Sequence, residues 1–431
     1  MFCDQCEQVR RQEACNVSPG VCGKDEDCHS AQQLLLYGLK GMAAYAHHAR
    51  RLGRHDPEVA AFMEEALFAT MTNVNFDLES LLELCLRCGQ MNLRVMEMLD
   101  AAHVETFGQP QPATVSEGTR AGPGILVSGH DLLDLYHLLR QVEGTDIQVY
   151  THGEMLPAHM YPTLHQHPNL AGHYGGAWQE QKREFKAFPG AILVTTNCVM
   201  PPAERYVERL FTTRSTAVSG GQRITDGDFT PVIEAARRCA PCEEAIEGES
   251  TVGFHHTVLM ENAGTLLEAY QKGQISQFYL IGGCDGAHRS RNYFNDYAAA
   301  TPADSFVLTL GCGKFRIRDQ SFGTHLGFPR LLDMGQCNDA YGAIQVALGL
   351  ARALDCNVND LPLTLVISWF EQKAVAVLLT LLSLDVRGIT LGPNPPAFLS
   401  DNLFRALAER YDLRLTGDTP QLDAQRAADT A

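Results

Sequence analysis

Between Ser30 and Ala102 the apolar residues return at three- and four-residue intervals. Leu34, Leu35, Tyr37, Leu39, Met42 and Tyr45 do so first, then Leu78, Leu81 and Leu82, then Met91, Val95, Met96 and Leu99. That spacing lines one face of an α-helix. Gly53-Arg54-His55-Asp56-Pro57 interrupts it, so a small bundle of about three helices is expected. After a breaker-rich linker from His103 to Gly124 the period changes. Short β-branched runs at Ile125–Ser128, Ile147–Tyr150, Ala191–Thr195, Gln277–Gly282, Phe306–Leu310, Leu363–Ser368 and Gly388–Leu391 alternate with helical stretches such as Asp131–Val142, Pro231–Arg238 and Gln372–Leu384. Strand alternating with helix builds parallel sheets. The polar stretch Cys239–Ser250 divides the region in two. The expected fold is therefore multidomain. An N-terminal cysteine loop and helical bundle (1–105) precede two α/β Rossmann-like domains with parallel sheets (120–245 and 246–431).

Composition sharpens this. The chain holds 14 cysteines in 431 residues, too dilute for a disulfide scaffold and in a chain too long to need one. It starts Met1-Phe2-Cys3, without an apolar leader. Its longest apolar stretch, Ala374–Leu384, is about half of the roughly 20 residues a membrane helix requires. A cytoplasmic protein with reduced thiols is expected. Lys+Arg number 34 against 51 Asp+Glu, a formal charge of −17, which excludes electrostatic attraction to nucleic acid or an anionic membrane. No glycine-rich dinucleotide fingerprint follows a strand and no P-loop is present, so nicotinamide, flavin and nucleoside triphosphate sites lack support.

Ligands of open parallel sheets bind beyond the carboxyl ends of the strands. Here Ile125–Ser128 runs into Gly129-His130, Ile147–Tyr150 into Thr151-His152-Gly153-Glu154, and Ile192–Thr195 into Thr196-Asn197-Cys198. Further on, Phe278–Ile281 runs into Gly282-Gly283-Cys284, Phe306–Leu310 into Gly311-Cys312, Leu331–Asp333 into Met334-Gly335-Gln336-Cys337, and Leu365–Ser368 into Trp369-Phe370-Glu371. A lone cysteine at a strand end is usually a small core residue. Seven ligand-type residues at successive strand ends argue together for a metal centre instead. Thiolates suit iron–sulfur, and imidazole and carboxylate suit an iron that exchanges ligands. In the N-terminal loop Cys3-x2-Cys6-x8-Cys15-x6-Cys22 supplies four thiolates, enough for a [4Fe–4S] or [2Fe–2S] cluster, with structural zinc as the alternative. Cys28 is a spare that could replace Cys22. Cys85, Cys88, Cys239, Cys242 and Cys356 read as structural thiols. The Cys239-Ala240-Pro241-Cys242 motif follows a helical run rather than opening one, so it lacks the helix N-terminus that lowers a thiol pKa.

Several longer strings carry a resemblance: Met1-Phe2-Cys3-x2-Cys6, Leu36-Tyr37-Gly38-Leu39-Lys40-Gly41, Gly89-Gln90-Met91-Asn92, Ser128-Gly129-His130-Asp131-Leu132, Thr151-His152-Gly153-Glu154-Met155-Leu156-Pro157, Gly282-Gly283-Cys284-Asp285-Gly286, Gly335-Gln336-Cys337-Asn338-Asp339 and Ser368-Trp369-Phe370-Glu371-Gln372-Lys373. The chain resembles the hybrid-cluster proteins, also called prismane proteins or hydroxylamine reductases, in a short class with a single helical bundle. The resemblance implies a hybrid [4Fe–2O–2S]-type cluster held by His130, Glu154, Cys198, Cys284, Cys312, Cys337 and Glu371, with Cys284 as the persulfide. It implies a relay cluster on Cys3, Cys6, Cys15 and Cys22, resembling the [4Fe–4S] members more than the [2Fe–2S] ones. It also implies that Glu154, Glu371, Lys373 and Cys284 carry the chemistry.

The implied activity is reduction of a small nitrogen oxide, hydroxylamine to ammonia and water or nitric oxide to nitrous oxide. Electrons would come from an external NADH- or ferredoxin-linked donor protein. Lys373 and His152 are candidate proton donors, although His152 reads more readily as a hydrogen-bonding neighbour. The other readings are a nickel–iron–sulfur carbon monoxide dehydrogenase-like enzyme and a non-catalytic protein that responds to nitric oxide or redox state.

Overall fold

The computed structural model describes residues 1–9 and 15–429. Three helices follow the N-terminal loop: α1 (Glu26–Arg51), α2 (Pro57–Ala69) and α3 (Leu78–Phe107). Each starts where an aspartate accepts the free N–H groups of the first turn. Asp25 caps α1, Asp56 caps α2 with Pro57 just inside it, and Asp77 caps α3.

The strands are β1 (Ala113–Thr119), β2 (Gly124–Ser128), β3 (Gln148–His152), β4 (Leu170–His173), β5 (Ala191–Val194), β6 (Leu210–Thr213), β7 (Gln222–Ile224) and β8 (Ala245–Val252). They form one sheet in the order β7-β6-β5-β2-β3-β4-β1-β8, parallel except for the β1–β8 edge pair. A second, wholly parallel sheet follows. It is built from β9 (Phe278–Gly283), β10 (Phe306–Thr309), β13 (Leu331–Asp333), β14 (Leu363–Ser368), β15 (Ile389–Gly392) and β16 (Arg414–Leu415), in the order β13-β10-β9-β14-β15-β16. The short hairpin of β11 (Thr324–His325) and β12 (Phe328–Pro329) lies between β10 and β13 in the chain. The expected bundle and the two parallel α/β sheets are thus present.

Two stretches differ from the sequence reading. The linker expected over His103–Gly124 contains the end of α3 and all of β1. The dividing stretch Cys239–Ser250 runs into β8, so the first sheet extends across position 245. Both strands are polar, β8 is mostly exposed and β1 only partly buried, and they pair with each other at the sheet edge. No apolar alternation marks such a strand, because backbone hydrogen bonds rather than burial hold it.

The bundle does not stand apart from the second sheet. Leu35, Met42, Val95 and Leu99 share one apolar core with Leu308, Leu365 and Leu379. The helix Gln372–Ser383 lies against α1 and α3 at close range. A Cβ on Gly89 would stand 2.0 Å from the Leu379 carbonyl oxygen. Thr380 Oγ1 donates to the Gly89 carbonyl at 3.0 Å. Gly89→Ala must push two helices apart, and overpacking of this kind costs about 1–3 kcal/mol or more. The expected outcome is a lower thermal midpoint, measured on the purified protein. An unchanged midpoint would show that the two helices have room to separate.

Candidate metal centre

The seven strand-end residues come from two runs of neighbouring strands. In the first sheet β5, β2 and β3 lie side by side and lead into Cys198, His130 and Glu154. In the second sheet β13, β10, β9 and β14 lie side by side and lead into Cys337, Cys312, Cys284 and Glu371. Their carboxyl ends face each other. Gln336 Nε2 crosses the gap to the His130 carbonyl at 3.1 Å and the Glu154 carbonyl at 2.7 Å. The Cys337 N–H donates to Glu154 Oε2 at 3.1 Å. His130, Glu154 and Cys337 each offer a ligand atom within 4.8 Å of the other two.

Each side chain is aimed by its neighbours. Thr196 Oγ1 lies 2.9 Å from both the His130 N–H and His130 Nδ1. A proton on Nδ1 that donates to Thr196 leaves Nε2 with its lone pair toward the centre. Cys198 has φ +66°, a left-handed conformation that costs a cysteine strain. Gln181 holds it there, donating to the Cys198 carbonyl at 2.6 Å and accepting from the Met200 N–H at 3.0 Å. The Cys284 N–H is tied to the Ser368 carbonyl at 2.8 Å. That approach needs Gly283, where φ is +101° and a Cβ would stand 2.2 Å from the same oxygen. Glu371 caps the Gln372–Ser383 helix through Oε2, 3.1 Å from the Lys373 N–H.

Lys373 sits at the middle of the group and is 4 % exposed. Its Nζ lies 2.9 Å from His130 Nε2, 3.2 Å from Asn197 Oδ1 and 3.8 Å from Glu371 Oε1. Burial opposes its charge, but Cys337, Glu371, Cys198 and Glu154 outweigh burial and hold the amine above its usual range. Burial pushes Glu154 up to about 7 against the pull of Lys314 and Lys373. Burial also pushes the Cys337 thiol up to about 12 and, with Glu371 and Cys198, the Cys284 thiol well above its usual range. Cys312 is raised by a hydrogen bond to Cys198 and by burial.

These groups are costly to ionise without more positive charge nearby. Glu154 Oε1 is buried with no hydrogen-bond partner. Four thiols, two carboxylates and an imidazole around such an orphaned oxygen fit a polynuclear iron–sulfur group. Such a group supplies the missing cationic charge and accepts both soft and hard donors.

Several contributors carry no sequence signal. Tyr45 and His48 reach the centre from α1, where the Tyr45 hydroxyl is buried without a hydrogen-bond partner. Asn197 links Lys373 to Cys198, whose Sγ lies 3.3 Å from Asn197 Nδ2. Arg51 of α1 pairs with Asp131, beside His130, and with Asp134 at 2.7 Å. His152 lies off the centre, with Nε2 2.9 Å from Glu184 Oε2 and Nδ1 2.9 Å from Ser128 Oγ. An apolar cavity lined by Leu280, Leu310, Ile344, Leu365 and Ile367 reaches Cys284 and Cys337.

In the N-terminal loop, Cys3 and Cys15 pair backbone to backbone, N–H to carbonyl at 3.2 and 2.7 Å. Cys3 is buried, Cys6 and Cys15 are half-buried and Cys22 is exposed. Cys28 turns away into the core, where its thiol donates to the Phe76 carbonyl at 3.2 Å. Cys85 and Cys88 are buried on α3. Burial raises Cys242 to about 11 and also raises Cys239, the opposite of a reactive dithiol. All 14 cysteines are free thiols.

Comparison with known proteins places this architecture. The description of the Prismane/CO dehydrogenase family matches residues 1–84 and 52–423. The chain belongs to that family. Within it, the chain is 58 % identical to a hydroxylamine reductase of Moorella thermoacetica, over 98 % of this chain and 99 % of that protein. It is 52 % identical to a hydroxylamine reductase of Solidesulfovibrio magneticus, over 90 % of this chain but only 72 % of that longer relative. Among solved structures it is similar to carbon monoxide dehydrogenase IV from Carboxydothermus hydrogenoformans. The TM-score is 0.79 at 16 % identity, over 99 % of this chain and 92 % of that one. A Ni-free carbon monoxide dehydrogenase from Thermococcus sp. AM4 gives 0.78 at 17 % identity, over 99 % of this chain and 90 % of that one. The carbon monoxide dehydrogenases therefore share the fold with this member of the prismane/CO dehydrogenase family.

Proposed function

We propose that this chain is an iron–sulfur oxidoreductase that reduces hydroxylamine to ammonia and water at the paired strand ends, with nitric oxide as a second substrate. The observation that carries the reading is near full-length identity of 58 % to a hydroxylamine reductase, against 16 % to a carbon monoxide dehydrogenase of the same fold. His130, Glu154, Cys198, Cys284, Cys312, Cys337 and Glu371 would hold a hybrid [4Fe–2O–2S]-type cluster, with Cys284 as persulfide. When bound, that group supplies electrons and Lewis acidity to the substrate nitrogen or oxygen.

The reduction breaks the N–O bond and consumes two electrons and two protons. Lys373 is the proton donor, with Nζ held by His130, Asn197 and Glu371. Glu154 Oε1, without a partner in the protein, is the second group that can hold a proton there. The apolar cavity admits a small uncharged molecule to Cys284 and disfavours bulk ions.

Cys3, Cys6, Cys15 and Cys22 would hold the [4Fe–4S] relay, fed by an external donor protein. Cys3→Ser is expected to slow reduction by a protein donor several-fold while the spectrum of the strand-end cluster persists. Stopped-flow absorbance checks both, and full-speed reduction would remove the relay role. Among the described residues no helix is long and apolar enough to cross a membrane. A cytoplasmic setting suits these cysteines, which must stay reduced to hold iron.

Anaerobic turnover of hydroxylamine, with ammonia and metals measured on the same sample, tests the proposal. Ammonia should form at an iron-rich, nickel-free centre. Stoichiometric nickel with carbon monoxide oxidation and no ammonia would put the carbon monoxide dehydrogenase reading in its place.

A further inference from the structure

The seam between α3 and the chain that follows β8 holds a second group of ligand-type side chains, unused by the chemistry above. Asp100 lies on α3, His255 caps the short helix His256–Glu261, and His256 is that helix's first residue. One carboxylate oxygen of Asp100 and one nitrogen of each imidazole lie within 4.8 Å of one another. Asp100 Oδ1 is 2.9 Å from His255 Nε2. The two imidazoles lie against each other with centroids 3.9 Å apart.

The surroundings fix the rings. His255 Nδ1 lies 3.0 Å from Thr257 Oγ1, which can accept its proton, and Nε2 is the nitrogen presented to Asp100. His256 is set edge-on to Tyr341, and its Nδ1 is buried without a hydrogen-bond partner. Burial, with the charges of Glu97 and Asp100 on α3, raises the Tyr341 hydroxyl. Among the described residues Asp100 forms no ion pair with a lysine or arginine; its partner is His255.

We propose that Asp100, His255 and His256 form a second metal site, for a divalent ion of the zinc class, that clamps the helical bundle to the second α/β region. Two imidazole nitrogens and one carboxylate oxygen are a donor set that zinc accepts, with water completing the shell on the open side. Zinc bonds to such donors are about 2.0–2.1 Å, which sets neighbouring donor atoms of a tetrahedron about 3.4 Å apart. Small side-chain rotations bring the three atoms to that spacing. With its ring proton on Nδ1 and donated to Thr257 Oγ1, neutral His255 presents the Nε2 lone pair to the metal, and protonation of the imidazoles competes with uptake, which weakens as pH falls. With the histidines neutral, the acidic Asp100 and Glu97 make the site anionic, as a cation site requires.

The test uses the cluster-loaded protein, incubated with zinc chloride and desalted. Zinc and iron are measured together, and the zinc environment is read by X-ray absorption. The wild type should retain one zinc per chain with nitrogen and oxygen neighbours and no sulfur shell. Asp100→Asn and His256→Gln should each weaken zinc retention at least tenfold, with iron content unchanged. Added zinc should raise the thermal midpoint of the wild type alone. Zinc held by sulfur, or retained equally by both variants, would overturn the site. So would failure of the wild type to retain zinc.

Discussion

Lys373→Met is expected to lower hydroxylamine turnover by about 10²–10⁴-fold, the range lost when a positioned proton donor is removed. Methionine keeps the length and burial of the side chain and removes only the ammonium. The iron centre should survive, because Lys373 is not among the seven residues assigned to it. The effect should fall on kcat more than on KM, since the apolar cavity and not the lysine admits the substrate. Steady-state kinetics with iron content as the control checks this. Turnover at the wild-type rate would mean that protons arrive by another group, and Glu154 would be the next to replace.

Cys284→Ala should remove both iron from the strand-end centre and hydroxylamine turnover. Cys284 lies where the two sheets meet, close enough to Glu371, Cys198 and Cys337 for their charges to raise its thiol. It also lines the apolar cavity, together with Cys337. Iron analysis and ammonia formation, measured on one anaerobic preparation, decide the matter. If both hold at the wild-type level, the assignment of the centre fails. If iron holds and turnover falls, Cys284 acts on substrate without being needed for assembly.

The cost of such a centre is visible in the chain around it. Glycines at 89 and 283 close contacts that no side chain could, and Cys198 is kept in a left-handed conformation by Gln181. Burying Glu154 and four thiols together destabilises the protein unless cationic charge compensates them. Assembly of the centre and stability of the two facing sheets should therefore be linked. Cys284→Ala is expected to report on stability as well as on activity.

Much of this was legible in the chain. The helical bundle followed from a three-to-four period and from the break at Gly53–Pro57, whereas the aspartate caps at Asp56 and Asp77 came from the structure. The strands feeding the centre stood out because parallel strands are buried on both faces and read as unbroken apolar runs. The edge strand β8 and its neighbour β1 did not, because both are polar and neither carries an unbroken apolar run. Tyr45, His48 and Arg51 could not be singled out either. They occupy one turn after another of an ordinary amphipathic helix, and only its position against the Gln372–Ser383 helix gives them a role.

By itself, then, the sequence determined the inventory. It named seven ligand-type residues, each just past a strand, because a parallel sheet brings the carboxyl ends of its strands to one edge. The tertiary structure decided that two such edges face each other. It decided that Gln336 spans the gap and that Lys373 lies between His130, Asn197 and Glu371. Apart from the Lys373–Glu371 pair, those contacts join residues more than a hundred positions apart in the chain. Periodicity reports only the local period of burial, whereas their geometry depends on how whole layers pack.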